Sequence, residues 1–176
     1  MKSAILTSNA RYEEAVVKLL GDLSRYDDAL LNRKPANGGW SAIQTMQHLI
    51  MSEEGSLLYA QKKMNAPLEE LGNAGLGSAW RSFLLWASLS LPIKFRAPKF
   101  IDTEFLPEYA TFEETSARWR EVRAQWRNFF ETLPDAYASK TVYKHPRAGR
   151  LSWVGVVRFF STHTSRHRKQ IAKAIR

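Results

Sequence analysis

With 176 residues, the chain is long enough to bury a substantial core and fits one domain, 1–176, better than two. It has no cysteine, which rules out disulfides, thiolate metal sites and a cysteine nucleophile, so any metal must take nitrogen or oxygen ligands. A hydrophobic fraction of 44% beside 24% charged residues suits a soluble globular domain, and the formal charge of +9 permits attraction to any polyanion without specifying one.

No segment approaches the roughly 18 uninterrupted apolar residues of a membrane span. The N-terminal residues lack the apolar stretch and cleavage site of a secretory signal, so the cytoplasm is the expected location.

In chain order, Tyr12, Ala15, Val16, Leu19, Leu20, Leu23 and Leu30 recur at three- and four-residue steps. This spacing predicts an amphipathic helix over about 9–31. Asn37-Gly38-Gly39 is turn chemistry, and Ser41 followed by Gln44 is a capping box that opens a second helix running to about Met64. Pro67, Gly72, Gly75 and Gly77 then break the pattern. Trp80 to Leu91 forms a short apolar helix before Pro92, Pro98 and Pro107. Its neighbours Lys94, Arg96 and Lys99 suggest a lid or substrate wall with a basic rim, while the simpler reading is a packing helix or dimer face.

Thr111 and Glu114 make another capping box. The third main helix that follows carries Phe112, Trp119, Val122, Trp126, Phe129, Phe130 and Leu133 on one face and ends at Pro134. The stretch 138–151 reads as a loop with one short extended piece. Ser152 caps a last helix whose inward face holds Val156, Phe159, Phe160, His163, His167, Ile171 and Ala174. Four long amphipathic helices without a set of strands give an all-α fold, a four-helix bundle, with an irregular or short-helical insertion between the second and third main helices.

His163 and His167 are four residues apart, hence about 40° apart on one helical face, which is the apolar face. Arg158, Arg166, Arg168, Lys169 and Lys173 point the other way. Two such imidazoles can grip one ion, or serve as ordinary histidines at the edge of a core. His48, in the second helix, is a third candidate ligand. It lies roughly 140° around the helix from Ile43, beside Gln44 and Ser52, a position suited to a cleft wall. Gln44, Ser52 and Gln170, each about one turn from a histidine, are candidates to orient the rings, and Gln44 also stands as a candidate catalytic residue. His145, in the loop before the last helix, is a candidate acid, base or extra ligand, or else a turn element with Pro146. The residues between the histidine pair are Thr164, Ser165 and Arg166, so the glutamate of an H-E-x-x-H protease is missing.

The segment Trp40-Ser41 through His48-Leu49 resembles the W-S-x-x-x-x-x-x-H-L entry of the DinB/YfiT-like family of metal-binding four-helix-bundle proteins. His145-Pro146 through Gly149-Arg150-Leu151-Ser152 and His163-Thr164-Ser165-Arg166-His167 through Gln170-Ile171 are similar to that family's H-P-x-x-G-x-L-S and H-x-x-R-H-x-x-Q-I signatures. The resemblance implies that His48, His163 and His167 are ligands of one divalent metal, zinc or nickel, and that the protein forms a homodimer. Relatives in that family include transferases and an isomerase acting with low-molecular-weight thiols, and members described as metal-dependent hydrolases.

The expected function is therefore that of a metal-dependent enzyme on a small-molecule substrate. It is either a hydrolase using metal-bound water or a small-thiol S-transferase with a low-molecular-weight thiol as cofactor. A non-catalytic metal- or ligand-binding bundle is the alternative. A DNA-binding stress protein ranks last, because the basic residues are scattered and no base-reading motif is present.

Overall fold

Helix α1 (Lys2–Leu23) buries Ile5, Asn9, Tyr12, Val16, Leu19, Leu20 and Leu23 along one stripe. In the computed structural model, which describes residues 1–36, 38–90, 106–145 and 148–176, this helix begins well before Asn9 and stops at Leu23. The expected single helix over 9–31 is instead broken in two. Asp27 caps a separate short helix α2 (Asp28–Asn32) by accepting the Leu30 amide at 2.7 Å. Asp28 and Asn32 then clasp the distant segment before the third main helix. Asp28 accepts the Phe112 amide at 2.7 Å, and Asn32 exchanges hydrogen bonds with the Ala110 backbone.

Helix α3 (Ala42–Met64) starts where the capping box places it. Ser41 Oγ accepts the Gln44 amide and Gln44 Oε1 accepts the Ser41 amide. A 3-10 turn, Leu68–Glu70, leads to a two-residue strand β1 (Gly72–Asn73) and then to helix α4 (Leu76–Ser90). Helix α5 (Phe112–Thr132) carries the Thr111–Glu114 capping box and is followed by a single turn α6 (Asp135–Ala138). Strands β2 (Lys140–Thr141), β3 (Tyr143–His145) and β4 (Gly149–Leu151) lie where the sequence reads as a loop with one short extended piece. Helix α7 (Trp153–Ala174), capped by Ser152, closes the fold.

The four long helices α1, α3, α5 and α7 pack as a bundle, with α3 against both α5 and α7 and α1 against both α5 and α7. Trp119, Trp126, Trp153, Phe130 and Phe160 are fully buried between them. The rings of Trp126, Phe130, Trp153 and Phe160 meet edge-on or tilted, as with Trp126 and Phe160 at 5.2 Å, the geometry aromatic quadrupoles prefer. The strands form two antiparallel pairs. β1–β2 ties the stretch after α3 to that after α6, and β3–β4 pairs Tyr143 with Leu151 and His145 with Gly149. Gly149 takes φ +74°, a left-handed conformation that lets this narrow hairpin close.

The insertion between α3 and α5 contains α4, which lies on α7. Its buried residues are Ser78, Ser82 and Leu85, whereas Trp80, Phe83, Leu84 and Trp86 are exposed. The small residues face inward because α7 approaches closely: a Cβ at Gly155 would stand 2.4 Å from Ser82 Oγ. The helix thus packs against the bundle as anticipated. Lys94, Arg96 and Lys99, the basic rim suggested for a lid, lie outside the described residues. Among the described residues no helix is long and apolar enough to cross a membrane.

Candidate metal centre

His48 reaches the site from the second turn of α3, His163 from the middle of α7 and His167 from its C-terminal half. The Ser41 cap fixes where α3 begins, and with it the height of His48 along the bundle. His48 Nε2 lies 3.2 Å from His163 Nε2, which lies 3.1 Å from His167 Nε2. One ligand atom of each ring falls within 4.8 Å of the others, the one such three-residue cluster among the described residues. His48 is 5% exposed, more deeply placed than a cleft wall requires, and the other two rings are half-buried.

The donor set fits a divalent ion. Imidazole nitrogens about 2.0–2.1 Å from a tetrahedral zinc stand roughly 3.3 Å from one another, close to the spacing found here. Gln170 Oε1 lies 3.0 Å from His167 Nδ1. An amide oxygen can only accept, so Nδ1 carries the proton and the Nε2 lone pair faces the cluster. His48 Nδ1 is buried and has no hydrogen-bond partner among the described residues, so no donor there forces the opposite tautomer. Three nitrogen lone pairs converging on one point repel unless a cation lies between them.

Burial pushes His48 down to about 4, helped by the neighbouring His167. It also pushes His167 down to about 4, against the Gln170 hydrogen bond, with Arg166 adding a smaller depression. His163 is held well below the ordinary histidine range by burial first, then by His167, His48, His145 and Arg166. At neutral pH all three rings are uncharged, the form that binds a metal.

Aromatic rings wall the cluster. Trp40 lies 4.9 Å from His48 and stacks on His167 at 6.4 Å, and Phe159 stacks on His163 at 5.3 Å. His145 packs 4.6 Å from Phe159, close enough to His163 to depress its basicity. Its Nδ1 accepts the Ala148 amide at 3.2 Å, so the neutral ring carries its proton on Nε2. The hydrogen bond is the turn role weighed for His145, while Pro146 and Arg147 lie outside the described residues.

Of the remaining candidates, Gln170 turns to a ligand ring and Gln44 does not. The Gln44 side chain closes the Ser41 cap and donates to the Pro107 carbonyl at 3.5 Å. Ser52 takes part through its backbone carbonyl, which accepts Ser56 Oγ. Arg166 extends to α4, where Nη1 donates to the Leu89 carbonyl at 3.0 Å. The sequence reading passed over Trp40 and Phe159 as walls of the site. Phe159 was legible one turn before His163, but the position of Trp40 depends on how the chain enters α3.

No curated protein and no solved structure matches the chain significantly. The helical bundle and the three-histidine cluster accord with a family model that spans nearly the whole sequence: the chain belongs to the DinB superfamily, whose model matches residues 10–171.

Proposed function

We propose that the chain is a metal-dependent enzyme in which His48, His163 and His167 hold one zinc or nickel ion. The observation that carries this reading is the convergence of three Nε2 atoms from two helices at 3.1–3.2 Å. Three neutral ligands leave a coordination position open, which is the pattern of catalytic rather than structural centres. When bound, the ion supplies Lewis acidity, able to activate water for hydrolysis or to hold a small thiol as its nucleophilic thiolate.

The thiol arm, an S-transferase using a low-molecular-weight thiol, is the better supported. Among the described residues no carboxylate joins the histidine cluster. A thiol, far more acidic than water, gives up its proton at such a centre without a dedicated base. Trp40 and Phe159 supply apolar walls against which the carbon skeleton of an electrophile would lie, and excluding water there protects the nucleophile from solvation.

Elemental analysis tests the site. Protein purified without added chelator is expected to hold about one zinc or nickel per chain, and His163→Ala is expected to hold almost none. Equal metal in the two would sink the assignment. A panel of electrophiles assayed with and without small thiols then separates the arms: turnover only with thiol supports the transferase, and turnover without it supports the hydrolase. Metal binding with no turnover of either kind would leave a non-catalytic metal-binding protein.

A further inference from the structure

A second polar cluster is buried along the same helices. Glu53 follows His48 by five residues on α3, and Thr164 follows His163 directly on α7. Tyr12 of α1 joins them. Its hydroxyl donates to Glu53 Oε1 at 2.6 Å and meets Thr164 Oγ1 at 2.8 Å. The single Tyr12 proton is committed to the carboxylate, so the Thr164 hydroxyl is the donor in the second bond. From α5, Trp119 Nε1 donates to Glu53 Oε1 at 3.0 Å, and Arg123 Nη1 donates to Oε2 at 2.7 Å. Arg123 Nη2 reaches Asn9 Oδ1 on α1. Glu53 and Tyr12 are each 2% exposed and Thr164 is 6% exposed. One network therefore ties all four main helices together beside the three imidazoles.

A buried ion pair is an inefficient way to stabilise a core, since apolar side chains of similar volume commonly serve as well or better. What charge-assisted hydrogen bonds add is direction and length. Apolar stripes tolerate sliding by a fraction of an ångström, whereas a metal centre assembled from two helices needs its ligands held within about 0.5 Å. The link Glu53–Tyr12–Thr164 spans the same two helices that supply the ligands, adjacent in sequence to His163 and little more than one turn from His48.

We infer that Tyr12, Glu53 and Thr164 are positioning residues of the metal centre, fixing the spacing of α3 and α7 so that His48 meets His163 and His167. This rests on the reading of the three histidines as ligands. None of the positioning residues touches the ion. They act through the helices that carry its ligands, and the threonine hydroxyl rather than its methyl is the required group.

The test uses the full chain stripped of metal and titrated with Co²⁺, whose visible absorption reports ligand geometry. Affinity, spectrum and thermal stability of the metal-free protein are measured for the wild type, Tyr12→Phe, Thr164→Val and Thr164→Ser. Tyr12→Phe and Thr164→Val are expected to weaken Co²⁺ binding about tenfold and to change its absorption band, and Thr164→Ser to retain both. Variants that lose thermal stability yet keep the wild-type affinity and spectrum would overturn the inference, leaving the network a scaffold only. If Tyr12→Phe does not fold, the valine and serine pair decides between the same outcomes. A wild type that binds no Co²⁺ would instead remove the metal reading, and this inference with it, so the two failures are told apart.

Discussion

Burial of a neutral imidazole has a cost that appears only in acid. In the unfolded chain His48 and His167 titrate near the ordinary value of 6.5, and in the metal-free fold both are lowered to about 4. Between these values the unfolded chain binds more protons, so stability is full above about pH 6.5 and is lost as pH falls toward 4. Thermal melts of the metal-free protein are expected to show a lower Tm at pH 5 than at pH 7. In His48→Gln, which removes one of these protonation sites, the difference is expected to shrink; an unchanged difference would contradict the assignment. At this scale the pair on α7 was legible because two histidines one turn apart share the apolar face. Gln170 was legible for the same reason. Glu53 and Arg123 were not recognised, although each interrupts an apolar stripe, Glu53 between Ile50 and Leu57 and Arg123 between Trp119 and Trp126. An acid and a base buried in facing stripes predict one another, and that was the available signal.

Helix starts were legible where a side chain marks them. Both capping boxes and the Ser152 cap form as their residues dictate. The break between α1 and α2 was missed because hydrophobic spacing continues through it, and the Asp27 cap decides the break locally. One short extended piece was expected over 138–151, and the number and pairing of the strands there were not legible, because two or three residues are too few to display an alternation. The existence of α4 was legible, and its orientation was not. An apolar helix is expected to turn its aromatic side inward, but the α7 backbone at Gly155 leaves room only for serine. Gly155→Ala gains helix propensity but forces α4 away from α7, and overpacking of this kind costs about 1–3 kcal/mol. Denaturant unfolding is expected to show a net loss of stability, and Ser82→Gly to offset part of it in the double variant. A fully additive pair would show that the contact is not what limits the approach.

For the molecule as a whole, an ion held between α3 and α7 would act as a cross-link present only in the folded state. Binding at 100 times the dissociation constant stabilises by about 2.7 kcal/mol. Zinc or nickel added to chelator-treated protein is expected to raise Tm, by several degrees for a chain of this size, and to leave the Tm of His48→Ala unmoved. An equal rise in that variant would place the ion elsewhere. The bundle and the family were legible from the sequence because the helical stripes and the terminal motifs span most of it, as the match over residues 10–171 shows.

His48 and His163 are 115 positions apart in the chain. An ion bridging them would close a loop of that length, so the site cannot form from local contacts and depends on α3 and α7 having already come together.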